Sequence, residues 1–161
     1  MNDFMFYSDF KQLINSIKVM TIASPWENGV WSAPVYYIYK NRAFFFFSSP
    51  DSRHIKGAEL SPDMMVAASI FVDNQQFNKI KGVQMRGKIE EVKADDRNDN
   101  TIKFLPEVSS YIKKFSIPFK DMNMKDSLNF ICKQYRAKFY RFIPIEIIYM
   151  DNSISIGFKQ T

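Results

Sequence analysis

The 161-residue chain has one cysteine, Cys132, and one histidine, His54. A lone cysteine excludes an intrachain disulfide, and the two residues together are too few for a Cys/His zinc site, so no metal is expected. Low cysteine usage agrees with a reducing cytosol. There are only five glycines, and none belongs to a phosphate-cradling loop of the P-loop or dinucleotide-binding kind. No Gly-x-Ser-x-Gly elbow carries a nucleophilic serine, so a Ser-His-Asp hydrolase would have to be built on His54 without that device. No apolar run approaches the roughly 20 residues that span a bilayer. The N-terminal stretch holds Asp3 and Asp9 and no basic region before an apolar run, so it does not read as a signal peptide. Taken together, these absences predict a cytoplasmic protein without a membrane anchor. Any chemistry it performs would be carried by a bound organic cofactor.

What is present in excess is aromatic. Sixteen Phe and eight Tyr raise the aromatic fraction to 16%. Flat apolar side chains in such number suit a β-rich core, a large interface, or walls for a flat ligand. The length fits one domain, 1–161, able to bury about two thirds of its unfolded surface without a staple.

Phe4, Tyr7, Phe10, Ile14 and Ile17 recur at helical spacing and predict an amphipathic helix over 4–17. The period then changes. Residues 19–23 read as a strand stopped by Ser24-Pro25, with Glu27-Asn28-Gly29 as a hairpin turn. A strand over 30–39, a turn at 40–42 and a strand over 43–48 follow. The run Ala43-Phe44-Phe45-Phe46-Phe47 predicts burial on both faces. A short helix is expected over 53–60, closed by Pro62, then strands over 64–72 and 80–92. In the latter, Val83, Met85 and Ile89 share one face and Gln84, Arg86, Lys88 and Glu90 the other. Residues 93–135 read as helical pieces interrupted at Pro106 and Pro118. Strand returns over 137–149, with a turn at Asp151-Asn152 and a last short strand over 153–157. About seven strands joined by tight turns, with a terminal helix and a helical insertion, predict a mainly β fold whose antiparallel sheet closes into a barrel.

The formal charge is +5, and nine Lys and Arg lie between Lys103 and Arg141 against Glu107, Asp121 and Asp126. Such a segment either attracts an anion or forms solvated helix faces. The segment Phe47-Ser48-Ser49-Pro50-Asp51-Ser52-Arg53-His54 is more pointed. A strand ends, hydroxyls follow, and a helix begins with a cation in its first turn, as a phosphate site requires. The plain alternative is a capped helix with Arg53 in solvent.

Several segments, in order, resemble the pyridoxamine 5'-phosphate oxidase-like FMN-binding split-barrel family. They are Ser32-Ala33-Pro34-Val35, Phe47-Ser48, Ser52-Arg53-His54, Pro62-Asp63-Met64-Met65-Val66-Ala67-Ala68, and Gly82-Val83-Gln84-Met85-Arg86-Gly87-Lys88-Ile89. The match covers about Val19 to Val92. Ile80-Lys81-Gly82-Val83-Gln84 and Asp151-Asn152-Ser153-Ile154-Ser155-Ile156-Gly157-Phe158 are similar to segments of the YhbP-like bacterial group.

The resemblance implies a split barrel that binds FMN at the interface of a homodimer. It places Ser32, Ala33, Pro34, Val35, Tyr36 and Tyr37 along the isoalloxazine ring, with Tyr36 and Tyr37 as an aromatic wall. Phe47 and Ser48 would lie near the ribityl chain, Ser52, Arg53 and His54 at the phosphate, and Gly82 and Gln84 against the ring. The chain departs from the oxidases at Ser32 (Arg there), Tyr37 (Lys), His54 (Lys) and Gly82 (Gln). The loss of charge implies weak FMN retention. Ser153-Ile154-Ser155 stands where the oxidases carry Arg-x-His for pyridoxal, which argues against vitamin B6 oxidation. The leading expectation is therefore an FMN-dependent oxidoreductase acting on a small molecule, with no identified catalytic acid or base. A haem- or deazaflavin-binding protein of the same fold is the second reading. A basic nucleic-acid-binding module is the third, though no aromatic RNA-stacking motif supports it.

Overall fold

A computed structural model describes residues 3–73, 76–92, 106–117, 130–155 and 159–161. Helix α1 spans Asp3–Ser16, followed by strands β1 Val19–Trp26, β2 Gly29–Tyr36, β3 Ile38–Lys40 and β4 Ala43–Ser48. Then come helix α2 Arg53–Glu59, a 3-10 turn at Pro62–Met64, β5 Met65–Val72 and β6 Lys81–Glu91. Helix α3 Pro106–Lys114, β7 Lys138–Asp151 and β8 Lys159–Gln160 complete the order. Residues 130–134 are also helical. No described helix is long and apolar enough to cross a membrane.

The described pairings are all antiparallel, in the order β2-β1-β5-β6-β7-β4-β3, with β8 beside β7. The two ends of this path, β2 and β3, are separated by Tyr37 alone. The sheet therefore curls back on itself, and one run of chain serves both its first and last strands. This is the split barrel that the sequence predicts, with the insertion leading into β7.

The strands follow from their side-chain periods. Ala43 to Phe46 of β4 are buried, and Phe47 is half-buried. Phe44 and Phe46 join the barrel core with Met20, Ile22, Ile70, Val83, Ile89 and Phe142. Phe45 faces the other way and packs with Ile38, Val108, Tyr111 and Phe139 beneath α3. Each such Phe stabilises the fold by roughly 1.5–3 kcal/mol through burial. Phe10, Leu13 and Ile14 of α1 are buried in the barrel core, whereas Tyr7 of the expected stripe is 44% exposed.

Several boundaries differ from expectation. β1 runs through Ser24 and Pro25 to Trp26, pairing Pro25 with Val30. There β1 has β2 on one side only, so a proline's missing N–H can face the open edge. The hairpin turns on Glu27-Asn28, Glu27 having φ 49°, and Gly29 opens β2. The expected strand over 30–39 breaks at Tyr37. Asn41 and Arg42 both have positive φ and form the two-residue turn between β3 and β4. Pro106 opens α3, where the first helical turn needs no N–H from it. Residues 152–154 are a turn, and the closing strand is Lys159–Gln160. The rest of the expected 93–135 helical region and residues 156–158 lie outside the described residues.

Helix α2 lies so close to β1 that a Cβ on Gly57 would run into the Pro25 carbonyl oxygen and Ser24 Oγ. Alanine at a mid-helix position ordinarily gains about 1 kcal/mol over glycine, but overpacking against backbone costs about 1–3 kcal/mol. Gly57→Ala is thus expected to lower the free energy of unfolding by up to about 2 kcal/mol, read from urea denaturation. A more stable variant would show that α2 does not seat on β1 this closely.

Candidate functional site

The site begins where two ladders part. β3 and β4 pair as Ile38↔Phe45, Tyr39↔Phe44 and Lys40↔Ala43. Continued by two residues, that register would set Tyr36 opposite Phe47. Instead Tyr36 pairs with Val19 of β1. β2 and β4 diverge from Tyr37 onward, and a cavity of about 750 Å³ occupies the cleft.

The barrel supplies Lys18, Tyr36, Phe47, Ser48 and Ser49 to its walls. The chain after β6 supplies Tyr111, Phe115, Ile117, Ile131, Tyr135 and Ala137. Four of these rings form a continuous run. Tyr36 lies 5.1 Å from Phe115, Phe115 4.7 Å from Tyr111, and Tyr111 5.1 Å edge-on from Phe47. A flat ligand would meet aromatic surface on two sides.

The polar end is hydroxyl-rich and nearly neutral. Ser48 Oγ lies 2.8 Å from His54 Nε2 and 3.1 Å from Ser52 Oγ. Ser52 Oγ donates to the Ser49 carbonyl at 2.8 Å. His54 is buried, and that burial holds its pKa below the ordinary imidazole value, so the ring is neutral near pH 7. Lys18 is exposed at the wall and is the only cation among the described lining residues.

The residues singled out in the sequence thus separate into groups. Tyr36, Phe47 and Ser48 line the cavity, with Ser52 and His54 behind Ser48. Arg53 is elsewhere: its guanidinium lies 4.4 Å over the Trp31 ring and 5.9 Å from that of Trp26. Ser32 and Gln84 line a separate depression of about 250 Å³ on the outer sheet face, beside Thr21, Ala23, Ala67 and Ser69. Pro34 is exposed on β2, opposite Thr21. Ala33 is half-buried and Val35 belongs to the core. Gly82 is buried, and its hydrogen faces the Ile70 carbonyl, where a Cβ would come within 2.8 Å. Tyr37 is wholly buried, with its hydroxyl donating to the Ile14 carbonyl at 2.6 Å, so its ring offers no wall to a ligand.

Sequence reasoning passed over Lys18, Ser49 and every wall residue from the insertion. A signal was available. Val108 and Tyr111 on one face of α3, and Phe115 just after its end, follow helical spacing, while Lys113 falls on another face. Lys114 reaches inward to donate to the carbonyls of Ile17 and Tyr37 at 3.2 and 3.1 Å, and burial together with Lys18 lowers its pKa. Among the described residues no cluster of metal-ligating side chains occurs.

No protein-family model matches the sequence, and no curated protein matches it. Similarity is found among solved structures. The haem storage protein HutZ from Vibrio cholerae has a TM-score of 0.63 at 12% identity, over 87% of this chain and 91% of its own. A candidate pyridoxamine 5'-phosphate oxidase from Listeria innocua gives 0.61 at 11% identity, over 90% and 98%. An FAD-binding protein from Mycobacterium smegmatis gives 0.58 at 12% identity, over 89% and 92%. At these identities the likeness establishes the fold, the pyridoxamine-phosphate-oxidase-like split barrel. The proteins that share it bind different cofactors.

His54 is the only histidine, so stability between about pH 5.5 and 7 reports on it with little interference from other side chains. Its folded pKa is depressed. Below the unfolded value near 6.5, the unfolded chain therefore binds a proton that the folded chain refuses. Stability should fall as pH drops from about 7 to 5.5. His54→Asn should flatten that slope in urea titrations at the two pH values. A wild-type curve that is flat or rises toward acid would contradict a buried neutral imidazole.

Proposed function

We propose that this chain is a flavin-binding protein that holds FMN in the cleft between β2 and β4. The observation that carries the reading is the cavity itself, whose walls combine two serine hydroxyls, an ammonium and a run of aromatic rings. Its volume suits a cofactor-sized ligand. The donor set fits a phosphate tail directed toward Lys18, Ser48 and Ser49, and Tyr36 and Phe47 fit a flat ring system.

The residues present have separable tasks. Lys18 offsets phosphate charge. Ser48, held by His54 and Ser52, presents a hydroxyl of fixed orientation. The aromatic walls exclude water from the ring. When bound, the flavin would supply hydride or electron transfer, the chemistry of an oxidoreductase. No described lining residue is a carboxylate or imidazole, so proton transfer would fall to solvent or substrate. The depression at Ser32 and Gln84 is open and built of small side chains, consistent with cover by a second copy in a homodimer.

Haem is the weaker alternative. Its only imidazole ligand would be His54, whose Nε2 is buried against Ser48. A deazaflavin would use the same walls as FMN.

The test is a spectrum of purified protein after FMN is added and excess removed, with the affinity from flavin fluorescence. Yellow protein with flavin bands is expected. Lys18→Ala should weaken FMN by about three- to tenfold, between the worth of an exposed ion pair and that of a charged hydrogen bond. Arg53→Ala should change it by less than about twofold, because Arg53 rests on Trp31. A Soret band without flavin bands would overturn the reading. An Arg53 effect larger than that of Lys18 would move the phosphate out of this cleft.

A further inference from the structure

The chain between β6 and β7 is basic, yet its described side chains at the cavity carry no charge. Its described wall residues are Tyr111, Phe115, Ile117, Ile131 and Tyr135. Lys113, Lys133 and Arg136 are exposed and line none of it. Lys114 is turned aside onto the carbonyls of Ile17 and Tyr37. The cavity therefore has two unlike halves. The barrel half holds Lys18 and two serine hydroxyls beside the rings of Tyr36 and Phe47, and the described insertion half is aromatic and aliphatic throughout.

We infer that the insertion half is the substrate site of this protein, and that it takes a neutral, planar aromatic molecule. The inference rests on the reading that FMN occupies the barrel half.

An ion of either sign would give up its water on entering walls whose described insertion side chains carry no charge. With FMN in the barrel half, Lys18 is taken up by the flavin phosphate, whose remaining negative charge repels an anion. The Lys114 ammonium, 5.8 Å from the Phe115 ring centroid, repels a cation. A neutral ring loses little on leaving water and gains stacking area on several sides. The described basic residues Lys113, Lys133 and Arg136 lie on the outer surface and leave substrate choice to the rings.

Three bicyclic probes of similar size and different charge test this by calorimetric titration at about pH 7. They are 2-naphthol (neutral), 2-naphthoate (anionic) and N-methylquinolinium (cationic). Each is titrated into FMN-loaded and FMN-free protein. On the loaded protein 2-naphthol should bind at least about tenfold more tightly than either ion. Tyr135→Ala and Phe115→Ala should each weaken it by about three- to tenfold. Tyr135 is 66% exposed, so its truncation leaves the core untouched; far-UV dichroism checks both variants. Tighter binding of either ion, or 2-naphthol binding indifferent to both variants, overturns the inference even where FMN binds. Naphthol binding with the expected preference and variant effects, in protein that takes up no FMN, would instead sink the flavin reading and leave the aromatic site standing.

Discussion

Tyr37 is where one extended run of chain changes partners, and the cleft exists because of that change. Before it, β2 follows β1; after it, β3 follows β4. A break in a ladder normally leaves backbone groups without partners, which is costly in a buried place. Here each is taken up. The Tyr37 N–H donates to the Lys18 carbonyl at 3.2 Å, and its carbonyl accepts from Lys114 Nζ at 3.1 Å. Its hydroxyl reaches the Ile14 carbonyl at the end of α1. The ring packs edge-on against Phe44 at 5.3 Å, with the Lys114 ammonium 4.6 Å over it. One residue thus joins α1, the start of β1, the core and α3. Burial pushes its phenol pKa well above the ordinary value, so the hydroxyl remains a donor across the range in which the protein is stable.

The insertion is coupled to the barrel by the same region. Lys114 ties α3 to the Tyr37 break, and Asn41 Nδ2 donates to Glu107 Oε1 at 2.8 Å at its other end. Between them Val108 and Tyr111 cover the outer side of Phe45 and Phe139. A strand run such as Phe44-Phe45-Phe46-Phe47 needs cover on both faces, and α3 is that cover outside the barrel. Where the cover reaches the divergence of β2 and β4, it no longer meets a continuous sheet. The gap left there is the cavity. Packing the second face of β4 and walling the site are therefore one structural act.

This explains what could be read from residues in sequence and what could not. β4, β5 and β6 were legible almost to the residue because their side-chain periods are local and strong. The two-residue turn at Asn41-Arg42 was legible as a polar break between apolar runs. The change of partner at Tyr37 was not, because nothing in Val35-Tyr36-Tyr37-Ile38 distinguishes a continuous strand from one whose hydrogen bonds pass to another neighbour. The site shows the same limit. Ser48, Ser52 and His54 cluster because they are close in sequence across one loop. Arg53 shares that loop, but its direction is set by Trp31 and Trp26, which lie far back in the chain. A cation in the first turn of a helix looks equally suited to a phosphate or to an indole face until the hairpin carrying the indoles is placed.

Formal charge is a poor guide to the ligand for the same reason. The excess of five positive charges invites an anionic partner, yet much of the basic inventory is already engaged. Lys138 pairs with Glu91, Arg141 with Glu90, Arg86 with Glu146, Lys81 with the buried Asp151, and Lys114 with two carbonyls. These pairs brace neighbouring strands from the outside, and the exposed ones contribute little each. Lys18 is left as the single cation among the described lining residues, and Ser48 is held by an uncharged imidazole. On the flavin reading, a site so composed would recognise a phosphate mainly through hydroxyls and geometry, with one ammonium in support. Selectivity among ligands then comes from the shape and polarity of the aromatic walls, and the long-range field of a basic chain contributes more to solubility and encounter than to choice.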